Sequence, residues 1–283
     1  MTSLATRQPR TPAGRSSSQI AWPAKYDLFG VRVAACDYDE IVDVVAQAAK
    51  ERLAGVVSLH AVHAIVESIR DPELLAKVNR FDAVLPDGQP VRWALNQLYG
   101  VGLRERVYGP ELMLRLCVRA AENAIPIYLY GSMPDVIDLL QQKLRALFPA
   151  LQIAGAESPP FRVLTPEEDD GVVRRINESG AGILFIGLGC PKQDHFAADH
   201  VGRIHAVQVC VGAAFDFHAG TKPMAPAWMQ RRGLEWLYRL SREPGRLWQR
   251  YLQTNSIFLA KWLAASAAAR ARTASRCFRE RDQ

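Results

Sequence analysis

No stretch of this chain carries eighteen apolar residues in a row, and its opening "MTSLATRQPRTPAGRSSSQIAWPAK" holds no apolar core of signal-peptide length. Neither a membrane-spanning helix nor a secretory leader is expected, and the reading is a cytoplasmic protein. Cysteine is scarce and scattered: Cys36, Cys117, Cys190, Cys210 and Cys277 are odd in number and form no C-x-x-C pair. That speaks against a disulfide framework and a structural zinc site, and fits a reducing compartment. Three catalytic fingerprints are also missing. There is no G-x-G-x-x-G with an acidic partner, no G-x-x-x-x-G-K-[ST] and no G-x-S-x-G. Standard nicotinamide binding, P-loop hydrolysis and serine hydrolysis therefore lose their sequence support.

What is present suits a large α/β domain with an appendage: 283 residues, 49% hydrophobic and 23% charged. The formal charge of +6 is unevenly spread. Residues 1–25 carry Arg7, Arg10, Arg15 and Lys25 with no acid, and residues 228–283 carry 12 Lys/Arg against 4 Asp/Glu. The middle is left with 19 bases and 25 acids, an acidic body between basic ends. Basic ends meet nucleic acid or anionic phospholipid, or merely solubilise a tail.

Residues 1–25 are rich in Ser, Thr, Pro and Arg and lack periodicity, so a disordered arm is expected, with the folded part starting at Tyr26. From there short apolar runs alternate with helical patterns. The strands read "GVRVAAC", "GVVSLH", "DAVLP", "IPIYLYGS", "LQIAGA", "AGILFIGLG" and "IHAVQVCVG". Helices are expected from Asp39, through "AVHAIVESIRDPELLAKVNRF", after "DGQP", over "GPELMLRLCVRAAEN", from Pro134 to Phe148, from Thr165 to Ser179 and after Pro191. This order predicts a Rossmann-like, mostly parallel sheet with helices on both faces over residues 26–222.

After Gly220 the strand signal ends. Residues 223–283 read as a helical appendage with Trp228, Trp236, Trp248 and Trp262 among arginines and breaks at Gly233 and at Pro244-Gly245. Trp and Arg on an amphipathic helix suit a bilayer interface, whereas the bland alternative is packing on the sheet domain. Packing is expected near Trp236, and lipid contact from Trp248 onward.

A doubly wound sheet gathers its strand-end loops on one edge, and ligands bind there. The loops contribute Ser58 and His60, Asp87 and Gly88, Tyr130, Gly131 and Ser132, the stretch "GLGCPKQD" from Gly187 to Asp194, and Asp216 with His218 in "GAAFDFHAG". Gly131, Ser132, Gly187 and Gly189 precede helices, so backbone amides at helix starts are candidates to receive a diphosphate, with Lys192 and Gln193 as further donors. A plain tight turn is the competing reading. Asp87 is either the N-cap of the following helix or a general base aimed into the cleft. His60 with His63, and His195 with His200, lack the carboxylates that would complete a metal site, so none is expected.

Several stretches in order, "VVSLHAVHAI", "DAVLPDGQPV", "RVYGPELM", "LFIGLGCPKQDHF", "VCVGAAFDFHAGT" and "GLEWLYRLSREPGRLWQRYL", resemble the WecG/TagA/CpsF glycosyltransferases over about residues 28–263. The resemblance implies metal-independent, inverting transfer of a sugar, of N-acetylmannosamine type or a hexose, from a nucleotide sugar, most simply a UDP-sugar, with no tightly bound cofactor. It implies a polyprenyl-diphosphate-linked acceptor at the inner face of the cell membrane and a role in polysaccharide synthesis. Asp87 matches the family's proposed base, Gln193 the polar residue of its "PKQE" loop, and Arg106 the arginine of its "RV.G" stretch. Ser58 and His60 fall where the family carries a Thr-x-Asn pair near the donor sugar.

The sequence departs from that pattern at His60, at Asp194 in place of a glutamate, and at Met224 in place of an arginine. Arg231, Arg232, Arg239, Arg242 and Arg246 stand nearby as replacements on the diphosphate and membrane side. Two other classes are weighed against this one. A nucleotide-sugar-modifying Rossmann enzyme lacks its dinucleotide fingerprint, and a nucleic-acid-binding protein lacks stacking aromatics or a DNA-reading motif, so no nucleic-acid partner is expected. A homo-oligomer is compatible with everything above.

Overall fold

The computed structural model describes residues 20–281, with the side chains of all of these except residue 246 and residues 272–281. The chain opens with a hairpin, β1 (Lys25–Leu28) and β2 (Val31–Ala34), whose strands pair antiparallel. Ile20 and Trp22, assigned to the arm by their composition, pack against the core, and Trp22 lies over Gly55. Packing thus extends before Tyr26, because a half-buried indole on a glycine outweighs its polar neighbours, and the rest of the expected arm, residues 1–19, lies outside the described residues.

Then follow α1 (Tyr38–Lys50), β3 (Gly55–His60), α2 (Val62–Arg70), α3 (Pro72–Val78), β4 (Ala83–Pro86), α4 (Gln89–Tyr99) and α5 (Gly109–Glu122). The second half runs β5 (Ile127–Gly131), α6 (Pro134–Leu147), β6 (Ile153–Glu157), α7 (Pro166–Glu178), β7 (Ile183–Gly187), α8 (Lys192–Asp199), β8 (Val207–Cys210) and α9 (Ala214–Ala219). All seven apolar runs read as strands are strands. Helix starts follow local chemistry: Asp37 accepts from the Glu40 amide to cap α1, and Thr165 forms a capping box with Glu168 at α7. The single helix expected through "DPELL" is two, because Asp71 caps α3 from the Glu73 and Leu74 amides while Pro72 cannot continue α2. The "GAAFDFHAG" loop is largely the short helix α9.

Strands β3 to β8 form one parallel sheet in the order β4-β3-β8-β7-β5-β6. The chain leaves β3 toward the β4 edge and leaves β5 toward the β6 edge, so the crossovers diverge and a crevice opens beyond the carboxyl ends of the central strands. Both faces are covered. Alternate residues Val57, Leu59, Ile183 and Phe185 pack with α1, α5, α6 and α9, while Val56, Leu184 and Ile186 pack with α2, α3, α4, α7 and α8.

The appendage is α10 (Ala227–Arg231), α11 (Glu235–Arg242) and α12 (Pro244–Arg281). Gly233 breaks it as expected: at a φ of 72° it lies so close to Gln89 and Trp93 that a Cβ would sit 3.0 Å from Gln89. At the other expected break, Pro244 opens α12. The packing expected near Trp236 is not found, and α12 carries both a packed and an exposed stripe. Leu247, Tyr251 and Phe258 of α12 are buried, whereas Trp236 and Leu237 of α11 are exposed. Spacing of four and seven residues puts the α12 trio on one stripe, which docks against α2 and α4. A second, outward stripe of Trp248, Leu252, Leu259 and Leu263 is exposed and falls within roughly 60° of the helix circumference. Among the described residues no helix is long and apolar enough to cross a membrane.

Candidate functional site

Asp87 follows the last residue of β4 at the carboxyl edge of the sheet. Its amide donates to the His60 carbonyl at 3.1 Å, which ties the ends of β3 and β4 together. Gly88, at a φ of 110°, is the N-cap of α4, and no side chain caps that helix. The Asp87 carboxylate is directed instead at Arg106 and at the Gly109 amide that opens α5. Arg106 Nη1 stands 3.7 Å from Asp87 Oδ1, and Arg106 Nη2 donates to Glu235 Oε2 at 2.6 Å. The guanidinium also lies over the Tyr108 ring, 4.2 Å from its centroid.

Burial pushes the Asp87 carboxyl up to about 6; the Arg106 and Arg239 charges and the Gly109 amide pull the other way, and Glu235 adds to the rise. A carboxylate that titrates near neutrality beside a cleft is suited to accepting a proton.

Ser58 and His60 do not face this crevice. Both are fully buried, because strand alternation turns them with Val56 toward the α8 side of the sheet. There Ser58 Oγ donates to Asp194 Oδ1 at 2.6 Å and His60 Nε2 lies 3.3 Å from the same oxygen. Burial works against the Asp194 charge, yet His60, Ser58 and Cys190 together hold its carboxyl below the ordinary value. The three side chains clamp the start of α8 to the end of β3. Tyr130 is likewise internal, stacked on Phe196 of α8 with centroids 4.7 Å apart.

The loop after β7 is closed on itself. The Gly189 amide donates to Gln193 Oε1 at 3.2 Å, the Gln193 amide returns to the Gly189 carbonyl at 2.9 Å, and the Ser132 amide donates to the Gly187 carbonyl at 3.1 Å. Gly131 permits this approach, since a Cβ there would stand 2.6 Å from the Gly187 carbonyl carbon. Two amides that the sequence offered to a diphosphate are thus spent within the protein. Lys192 is exposed and Gln193 is buried.

Positive charge reaches the crevice from the appendage instead. Arg239 of α11 acts on both Asp87 and His63, and Arg250 of α12 acts on His63 and Cys190. Burial, followed by the Arg250 and Arg239 charges, pushes the His63 imidazole down to about 3, so it is neutral. Arg250 Nε is buried without a hydrogen-bond partner. Sequence reasoning missed Arg250, although it lies one helical turn beyond Arg246 in the same basic helix. Of the other arginines, Arg231 borders a neighbouring cleft, Arg232 is exposed, and Arg242 turns to Tyr238. The Arg246 side chain lies outside the described residues.

That neighbouring cleft, about 350 Å³ in volume, lies on the α5 and α9 side of Arg106, with Tyr38, Gln89, Tyr108 and His218 in its walls and Met224 and Arg231 at the appendage end. Among the described residues no group of three His, Cys, Asp or Glu side chains gathers as a metal site.

Residues 26–272, both the sheet domain and most of the appendage, match the model of the glycosyl transferase WecG/TagA/CpsF family. Enzymes of this family are glycosyltransferases of cell-surface polysaccharide synthesis, working in general from a nucleotide-sugar donor to a lipid-linked acceptor. With a match over nearly all of the described chain, on a parallel α/β sheet whose carboxyl edge carries Asp87, Arg106 and the appendage arginines, the protein belongs to the WecG/TagA/CpsF glycosyltransferases.

Proposed function

We propose that this enzyme performs an inverting, metal-independent transfer of an N-acetylmannosamine-type sugar or a hexose from a UDP-sugar to a polyprenyl-diphosphate-linked acceptor at the inner face of the cell membrane. The observation that carries the reading is the position of Asp87. Its carboxyl sits at the carboxyl end of β4, with its pKa pushed up to about 6 by burial, and with the cation paired to it, Arg106, already bound to Glu235.

In this reading the Asp87 carboxylate accepts the proton of the acceptor hydroxyl as that oxygen attacks the anomeric carbon. The bond from the anomeric carbon to the diphosphate breaks, and its electron pair leaves on the phosphate oxygen. Arg239 and Arg250 meet the charge that develops there, in a crevice where desolvation strengthens each contact. The unpartnered Nε of Arg250 supports this role, since a buried guanidinium nitrogen without an acceptor is costly until an anion arrives.

An acceptor with a polyprenyl tail stays in the bilayer, so the enzyme must meet the surface. The exposed Trp228, Trp236 and Trp248, together with the outward leucine stripe of α12, support a peripheral contact by the appendage, with the basic charge of residues 228–283 facing anionic lipid. The test is nucleotide-diphosphate release from a panel of UDP- and GDP-sugars with diphosphate-linked sugar acceptors in anionic liposomes. Acceptor-dependent release from one donor supports the reading; acceptor-independent release from every donor that turns over contradicts it.

A further inference from the structure

We infer that the cleft between Arg106 and α10 is the site for the acceptor's sugar and diphosphate, with Gln89 reading the sugar and Arg231 the diphosphate. The inference deepens the glycosyltransferase reading and rests on it for the chemistry, but the cleft is defined by its own geometry.

A base that activates an acceptor hydroxyl needs the donor on one side and the acceptor on the other, because the nucleophile approaches opposite the leaving group. The crevice with His63, Arg239 and Arg250 is bordered by α2, α11 and α12. The cleft shares none of those three residues, and Arg106, 3.7 Å from Asp87, forms part of its wall. Its walls begin at the residues flanking Asp87 and its partner amide: Gln89 is two positions after Asp87, and Tyr108 and Pro110 bracket Gly109. A hydroxyl presented from the cleft therefore arrives beside Asp87.

The lining matches a carbohydrate. Tyr38 and Tyr108 form buried wall beneath the Arg115 and Arg106 guanidinium groups, and Gln89 and His218 supply planar polar groups. Gln89 is 8% exposed, and its Oε1 is buried without a hydrogen-bond partner. A buried amide oxygen left open costs free energy, which a ligand hydroxyl donating to it recovers. His218 Nε2 is held 2.9 Å from the Pro110 carbonyl, which fixes the ring at the wall. The volume of about 350 Å³ is at the lower end of the roughly 300–1,000 Å³ of small-molecule sites, and suits a monosaccharide with part of its diphosphate.

Charge and surface give the direction of entry. The other cations of the cleft are spent: Arg106 pairs with Glu235, and Arg115 with Glu111 and Asp39. Arg231 forms no ion pair among the described residues and is exposed at the appendage end. Met224 lines the cleft with it and Trp228 stands three residues before it on α10, 45% and 52% exposed. A lipid-linked sugar entering from the appendage end carries its sugar past Arg231 to Gln89 and leaves its diphosphate beside Arg231.

The experiment is calorimetric titration of the full-length chain with farnesyl-diphosphate-linked glucose and N-acetylglucosamine, and separately with UDP. Gln89→Leu and Arg231→Gln are compared with wild type after thermal unfolding confirms that they fold. The expected result is an affinity for one diphosphate-linked sugar lowered about tenfold in each variant, with UDP affinity changed less than about twofold, the tenfold step being one lost hydrogen bond. Arg231→Gln is expected to spare binding of the same sugar without its diphosphate. Unchanged acceptor affinity in both variants, loss of UDP affinity instead, or no binding of either farnesyl compound to wild type overturns the inference. These outcomes are separate from the donor panel, whose failure strikes the reaction and leaves the titration readable.

Discussion

Arg106 of the sheet domain donates to Glu235 of the appendage at 2.6 Å, and this pair, about nine-tenths buried on both sides, joins the start of α11 to the cleft beside Asp87. The same guanidinium stands 3.7 Å from Asp87, so two carboxylates from distant parts of the chain compete for one cation. Docking of the appendage thereby keeps Arg106 from fully neutralising Asp87.

Glu235→Gln should release Arg106 to Asp87 and remove a neighbouring negative charge. Both changes favour the ionised carboxylate, so the acid limb of the kcat/KM profile should move below its wild-type position near pH 6 while kcat falls about tenfold or more. Glu235→Asp should restore part of both. An acid limb unmoved in Glu235→Gln would show that the pair only fastens the appendage.

Asp87 should also leave a mark on stability. Its carboxyl is raised in the folded chain, so its contribution is unfavourable above the folded value of about 6 and vanishes below the unfolded value of about 4. Asp87→Asn is expected to gain about 1–2 kcal/mol in denaturant unfolding at pH 7.5 and nothing at pH 4. Destabilisation at pH 7.5 instead would mean that the charge on Asp87 supports the fold through Arg106.

Arg250→Gln removes a cation whose Nε has no partner among the described residues. UDP affinity should fall about tenfold or more, while thermal stability should change little, since Arg250 forms no ion pair among the described residues. An equal affinity in the variant would place the diphosphate elsewhere, with Lys192 the next cation to replace.

Most of the sheet was legible because parallel strands buried on both faces read mostly as apolar runs between turn residues, as "ILFIG" and "AVLP" do. Asp87 stood out for the same reason, as a carboxylate directly after such a run. The partners of the site were not legible. Glu235 meets Arg106 across 129 residues, and Asp194 meets Ser58 across 136, and no local pattern encodes either pairing. Ser58 and His60 looked like loop residues because polar side chains at a strand end commonly face ligand. Alternation sends them to α8, where the shorter carboxylate at position 194 receives them both. The appendage misled for a related reason: Trp236 and Leu237 resemble core residues, yet the four-and-seven spacing from Leu247 to Phe258 marked the buried stripe.

The outward stripe predicts lipid contact. Replacing Leu252, Leu259 and Leu263 together with Gln leaves the packed stripe of Leu247, Tyr251 and Phe258 intact. Sedimentation with anionic liposomes should drop at least several-fold while the thermal midpoint stays within a few degrees. Undiminished liposome binding would assign membrane contact to another surface.

The most direct test of the central claim is the turnover of Asp87→Asn beside wild type, measured as nucleotide-diphosphate release with the preferred donor and a diphosphate-linked acceptor in liposomes. With Asp87 as the base, kcat should fall by about 10²–10⁴-fold, with donor affinity retained and the acid limb near pH 6 abolished. Near wild-type turnover with the limb intact would contradict the assignment and move the proton acceptor to another group in the crevice.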